Sequence, residues 1–94
     1  SLLEVEGLDE TGDNLLAYRW KGSDGYRAVI LNLGSNSAQG RVRLTGDLEP
    51  SAQYDFDDRL NNEAYLRDRD DLEANGLYVR LDRYNGHIFA VTPA

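Results

Sequence analysis

Cysteine and methionine are both absent from these 94 residues, lysine and histidine occur once each, and proline twice. Without cysteine there is no disulfide to constrain the unfolded chain and no thiolate to bind zinc, so stability must come from a packed core. With His87 the sole histidine, a His-rich metal cluster is excluded, and a Ser-His-Asp site would have to be built on that one ring. Ser23, Ser35, Ser37 and Ser51 all fall in turn-forming segments and none occupies a nucleophile elbow. His87 therefore reads as a packing residue at the start of the last strand. No apolar run of membrane-spanning length, no signal sequence, no Gly-rich phosphate loop and no basic patch is present, so neither a cofactor nor a membrane partner is expected.

Positive charge is also scarce. The net charge is -7, with 17 acidic residues against 10 basic ones, and a surface of that sign repels phosphate backbones. Nucleic acid is accordingly not an expected partner. Eleven of the acids are aspartate and nine of the bases are arginine. Such a surface suits a salt-adapted organism, and an ordinary compositional bias toward arginine accounts for it equally well.

What the chain does have is a hydrophobic fraction of 40% and six tyrosines, enough for a folded domain. A chain of this length buries about 60–65% of the surface its unfolded form exposes, which gives a modest core and little room for a deep catalytic pocket. Short apolar stretches are cut by turn residues at intervals of about ten, the signature of an all-β sandwich or barrel. Leu2, Leu3 and Val5 offer an opening strand. Leu15 to Lys21 places Leu16, Tyr18 and Trp20 on one face, with Arg19 and Lys21 on the other. Gly22 to Gly25 is a turn. In Tyr26 to Leu33 the run Val29-Ile30-Leu31 is apolar on both faces, as in a central strand covered on both sides.

Turns at Gly34 to Ser37, Gly46-Asp47 and Pro50-Ser51 frame an alternating strand with Val42 and Leu44 inward. Tyr54 and Phe56 point inward next. Asn61-Asn62 turns the chain, and the return strand carries Ala64 and Leu66 on one face and Tyr65 on the other. After the Asn75-Gly76 turn, Leu77, Val79 and Leu81 face the core while Tyr78 and Arg80 face out. A last strand, His87 to Thr92, follows Asn85-Gly86. No stretch keeps a 3.6-residue apolar period long enough to require a helix. The expectation is one antiparallel, Greek-key-like β-sandwich of seven or eight strands spanning residues 1–94. Ser1 at the first position and the missing methionine point to a piece of a longer protein.

Paired carboxylates hydrolyse glycosides, so the acids were tested. Asp57-Asp58 and Asp70-Asp71 are neighbours, and neighbours on a strand point to opposite faces, so neither pair flanks one bond. The EF-hand pattern fails where Arg59 and Leu72 stand at the fifth position. An irregular calcium loop around Asp68, Asp70 and Asp71 stays open, beside the plainer reading of a solvated acidic surface. Sugar-binding modules stack pyranose rings on exposed aromatics, which makes Trp20, Tyr78 and Tyr84 the candidate carbohydrate-binding residues. Sharing a face with Leu16 and Tyr18, Trp20 is expected in the core or in a domain interface, whereas Tyr78 is expected outside.

Three stretches in order resemble the C-terminal β-sandwich domain of the α-amylase family of glycoside hydrolases. Leu15-Leu16-Ala17-Tyr18-Arg19, followed by Val29-Ile30-Leu31-Asn32-Leu33, looks like that domain's opening hairpin. Asp58-Arg59-Leu60-Asn61-Asn62-Glu63-Ala64-Tyr65 is similar to its middle hairpin. Leu77-Tyr78-Val79-Arg80-Leu81, followed by Tyr84 and His87-Ile88-Phe89, looks like its closing pair. Family glycines align with Asn62 and Asn85, and asparagine best tolerates a left-handed backbone among the other residues. Two family prolines are replaced by Asp82 and Arg83, which is expected to loosen that corner. The resemblance implies a non-catalytic accessory domain that packs against the catalytic (β/α)8 barrel of the same chain. The alternative is a stand-alone carbohydrate-binding module for α-glucan.

Overall fold

Alternating side chains build eight strands in two antiparallel sheets in the computed structural model, which describes residues 1–23, 25–44 and 48–94. The strands are β1 (Glu4–Gly7), β2 (Leu15–Gly22), β3 (Gly25–Asn32), β4 (Ala38–Arg43), β5 (Gln53–Asp58), β6 (Glu63–Asp68), β7 (Leu77–Leu81) and β8 (Gly86–Pro93). One sheet has the order β1-β4-β7 and the other β2-β3-β8-β5-β6. The chain changes sheet between β1 and β2, β3 and β4, β4 and β5, β6 and β7, and β7 and β8. The expected turn at Gly46-Asp47 lies outside the described residues.

The inward faces meet as the alternation requires. Tyr26, Ala28 and Ile30 of β3, Tyr54 and Phe56 of β5, and Phe89 and Val91 of β8 form one side of the core. Val42 of β4 and Leu77, Val79 and Leu81 of β7 form the other. Phe56 and Phe89 meet edge to face at 5.5 Å, and Tyr65 approaches Phe89 in the same way at 6.2 Å. Burial of each such side chain stabilises the fold by about 1.5–3 kcal/mol. Tyr54 is fully buried, and its hydroxyl donates to the Glu49 carbonyl at 2.6 Å while accepting from Arg69 Nη1 at 2.7 Å.

Two expectations need correction. Helix α1 (Arg69–Asn75) stands where none was required, and it places Asp70 and Asp71 in its first turn rather than on a strand. Seven residues with Leu72 alone buried are too few to display a helical period, while two acids at the start and a glycine at the end suit a short helix. Asn62 does adopt the left-handed conformation (φ 57°), but in the later turn it is Tyr84 (φ 57°) and not Asn85 that does so. That turn is closed by the Asn85 N–H on the Asp82 carbonyl at 3.1 Å, which puts Tyr84 at the third turn position, where φ is positive in a type II turn. The Asp82 corner is held by Asn32, whose Nδ2 donates to the carbonyls of Leu81 and Asp82, both at 3.1 Å. Of the two settings expected for Trp20, core or domain interface, the structure excludes the core, the residue being 47% exposed.

Candidate functional surfaces

The two outward faces of the sandwich differ in chemistry. On the three-stranded sheet, strand register sets Glu4 beside Arg43, Glu6 beside Arg41, Arg41 beside Tyr78, and Gln39 beside Arg80. Arg43 bridges Glu6 at 2.7 Å, the Arg41 guanidinium lies 5.9 Å from the Tyr78 ring, and the Tyr78 hydroxyl donates to Gln39 at 2.9 Å. This is a charged face, partly paired within itself and at home in water.

The five-stranded sheet is apolar on its outward side. Register sets Leu16 beside Leu31, and Tyr18 beside Val29, which in turn neighbours Ile88. Leu2 bridges to Tyr18 at the edge and is 74% exposed, and Trp20 is 47% exposed. Charge enters beside Trp20, where Arg27, Asp57, Asp55 and Asp68 share the face and Arg59 bridges Asp57 at 2.7 Å. Because Gly86 has no side chain, Leu31 and Leu60 approach over its backbone: a Cβ there would lie 2.8 Å from Leu31 Cδ2 and 3.7 Å from Leu60 Cδ2.

Of the sugar-binding candidates, Trp20 therefore projects from the five-stranded sheet and Tyr78, 46% exposed, from the opposite side of the sandwich. Tyr84, 70% exposed, sits in the turn between β7 and β8. The fold does not bring the three together. It pairs Trp20 instead with Tyr18, whose ring lies 6.0 Å away at 26° to the indole. That neighbour was visible in the sequence as the residue two positions earlier on the same strand face.

Sequence reading gave His87 a packing role without finding its partner. Asp58 ends the inward row Tyr54-Phe56-Asp58 and is fully buried, and its Oδ2 lies 2.5 Å from His87 Nδ1. Asn61 Nδ2 donates to the same oxygen at 2.7 Å, while the N–H groups of Leu60, Asn61 and Ile88 donate to Oδ1 at 3.1 to 3.3 Å. Burial alone would raise the Asp58 pKa. The bonds from Asn61, His87 and Ile88, together with the attraction of His87, outweigh it and hold the carboxyl below its ordinary value. The group ties the β5–β6 turn to β8.

No group of three or more His, Cys, Asp or Glu side chains able to hold a metal occurs among the described residues. Asp68 accepts from Gln53 Nε2 at 2.8 Å and Asp71 from Asn75 Nδ2 at 2.8 Å, so two of the three acids of the calcium reading serve local hydrogen bonds.

No family model matches the chain, no curated protein matches its sequence, and no solved structure matches its fold.

Proposed function

We propose that this chain is a non-catalytic accessory domain of an α-amylase-family glycoside hydrolase, docked on the catalytic (β/α)8 barrel of the same protein through its five-stranded sheet. The observation that carries this reading is the contrast between the two outward faces. One is charged and largely paired within itself, and the other presents Leu2, Leu16, Tyr18, Trp20, Leu31 and Ile88, each at least partly exposed. An apolar sheet face of this kind suits a domain interface. The three family-like stretches supply the choice of partner, and fold analogy alone would not.

The coding sequence upstream of Ser1 tests the reading directly. A (β/α)8 barrel is expected there, and its absence overturns the proposal. In the parent protein, Ile88→Asp is expected to lower the melting temperature of the barrel, whereas Arg41→Asp on the opposite face leaves it within about a degree of wild type.

A second reading rests on the Tyr18–Trp20 pair, two nearly parallel rings at the sheet edge that would stack on consecutive sugars of an α-glucan. Calorimetric titration of the chain with maltoheptaose separates the two. Absence of heat at about millimolar sugar favours the docking role. Saturable binding abolished by Trp20→Ala favours the carbohydrate-binding module.

A further inference from the structure

The three-stranded sheet covers its five-stranded partner unevenly. β7 is the last strand on one side and β6 the last on the other, and the inward residues Tyr65 and Arg67 of β6 are only half-buried. Between these two free edges opens a cleft of about 200 Å³. The rings of Phe56, Tyr65 and Phe89 line it together with His87, and Arg67 and Arg80 contribute the cations. In a chain of net charge -7, no aspartate or glutamate is among its lining residues.

The polar groups around this cleft are already positioned. The His87 ring stacks on Phe89 at 4.7 Å and 19°, and Asp58 engages Nδ1, which leaves Nε2 as the ring atom without a partner among the described residues. The Arg67 guanidinium stands 5.4 Å from the Tyr65 ring centroid, with Nη1 on the Leu66 carbonyl. The other Arg67 guanidinium donors have no acceptor among the described residues. Glu63 is taken up by the Tyr65 hydroxyl, and Asp82 comes no closer than 3.8 Å to Arg80.

We infer that this cleft is a binding site for a small aromatic carboxylate, its ring against the aromatic floor and its carboxylate answered by Arg67 and Arg80. Arginine pairs with carboxylates in a bidentate manner, and an aromatic floor favours a planar apolar body. A bare inorganic anion would lose its hydration without filling the apolar part. The site is independent of the proposed docking role: it uses inward-facing residues of β5, β6 and β8 together with Arg80 on the edge strand β7, whereas the docking face uses outward-facing residues of the five-stranded sheet.

Titration of the chain with phenylacetate, followed by amide and His87 ring NMR, tests the inference, with phenylacetamide as the uncharged control. Saturable shifts at His87, Phe89 and Val79 with a Kd of about 1 mM are expected. Arg67→Gln and Arg80→Gln should each weaken binding about tenfold without altering the wild-type spectrum elsewhere. Equal binding of phenylacetamide, shifts centred on Trp20, unchanged affinity in both arginine variants, or no saturable shift at about 10 mM would each overturn it.

Discussion

A carboxylate withdrawn from water is costly unless every lone pair finds a donor, and Asp58 meets that requirement with three backbone N–H groups, Asn61 and His87. Asp58→Ala would leave those part-buried donors without their shared acceptor. A loss of about 3–5 kcal/mol is expected in urea unfolding followed by circular dichroism. Acid titrates the same interaction. The Asp58 pKa is lower folded than unfolded, so its contribution is complete above the unfolded value near 4 and disappears as the pH falls through the folded one. Wild-type stability should therefore drop more steeply than that of Asp58→Asn below about pH 4, in parallel urea titrations across that range. The inward position of Asp58 was legible from the alternation that begins at Tyr54. Its partner, 29 residues further along the chain, was not.

Among the elements, the strands obey period 2 over nearly their whole lengths, which is why most of them are legible from the sequence. Helix α1 is different. Its seven residues bury only Leu72, and it is held by its surroundings: Gly76 closes it with φ 74° and ψ -177°, and its N–H bonds the Leu72 carbonyl at 2.9 Å. A side chain is not tolerated there, because a Cβ would come 2.9 Å from the Val42 carbonyl oxygen and this backbone region is nearly restricted to glycine. Gly76→Ala should cost about 2–3 kcal/mol. Asn62→Gly, at an ordinary left-handed position, should change stability by less than about 1 kcal/mol. Thermal unfolding of the two variants side by side distinguishes a backbone that requires glycine from one that merely accepts it.

The whole molecule carries one buried core and one exposed apolar face, and the two respond differently to substitution. Ile30, fully buried between the sheets, should lose about 2–5 kcal/mol on truncation to alanine. Leu2→Ser, at 74% exposure on the open face, should alter the stability of this chain by no more than about 0.5 kcal/mol. Urea unfolding of both variants checks the contrast. An Ile30-like penalty at Leu2 would mean that the face is already covered by the chain itself. Docking on a barrel would reverse the ranking at the face, since Leu2 and Trp20 would then be interior.

The sequence by itself determined the all-β class, the strand alternation and the exclusion of thiolate and His-rich chemistry. These follow from local periodicity and from which side chains are present. Tertiary structure alone decided which apolar faces are covered. Leu16-Tyr18-Trp20 and Tyr54-Phe56 look alike as alternating rows, yet the first faces outward and the second is buried, because a strand fixes two faces and only the packing of sheets chooses between them. The same long-range packing joined Asp58 to His87, set Trp20 and Tyr78 on opposite sides, and left the cleft open between β6 and β7.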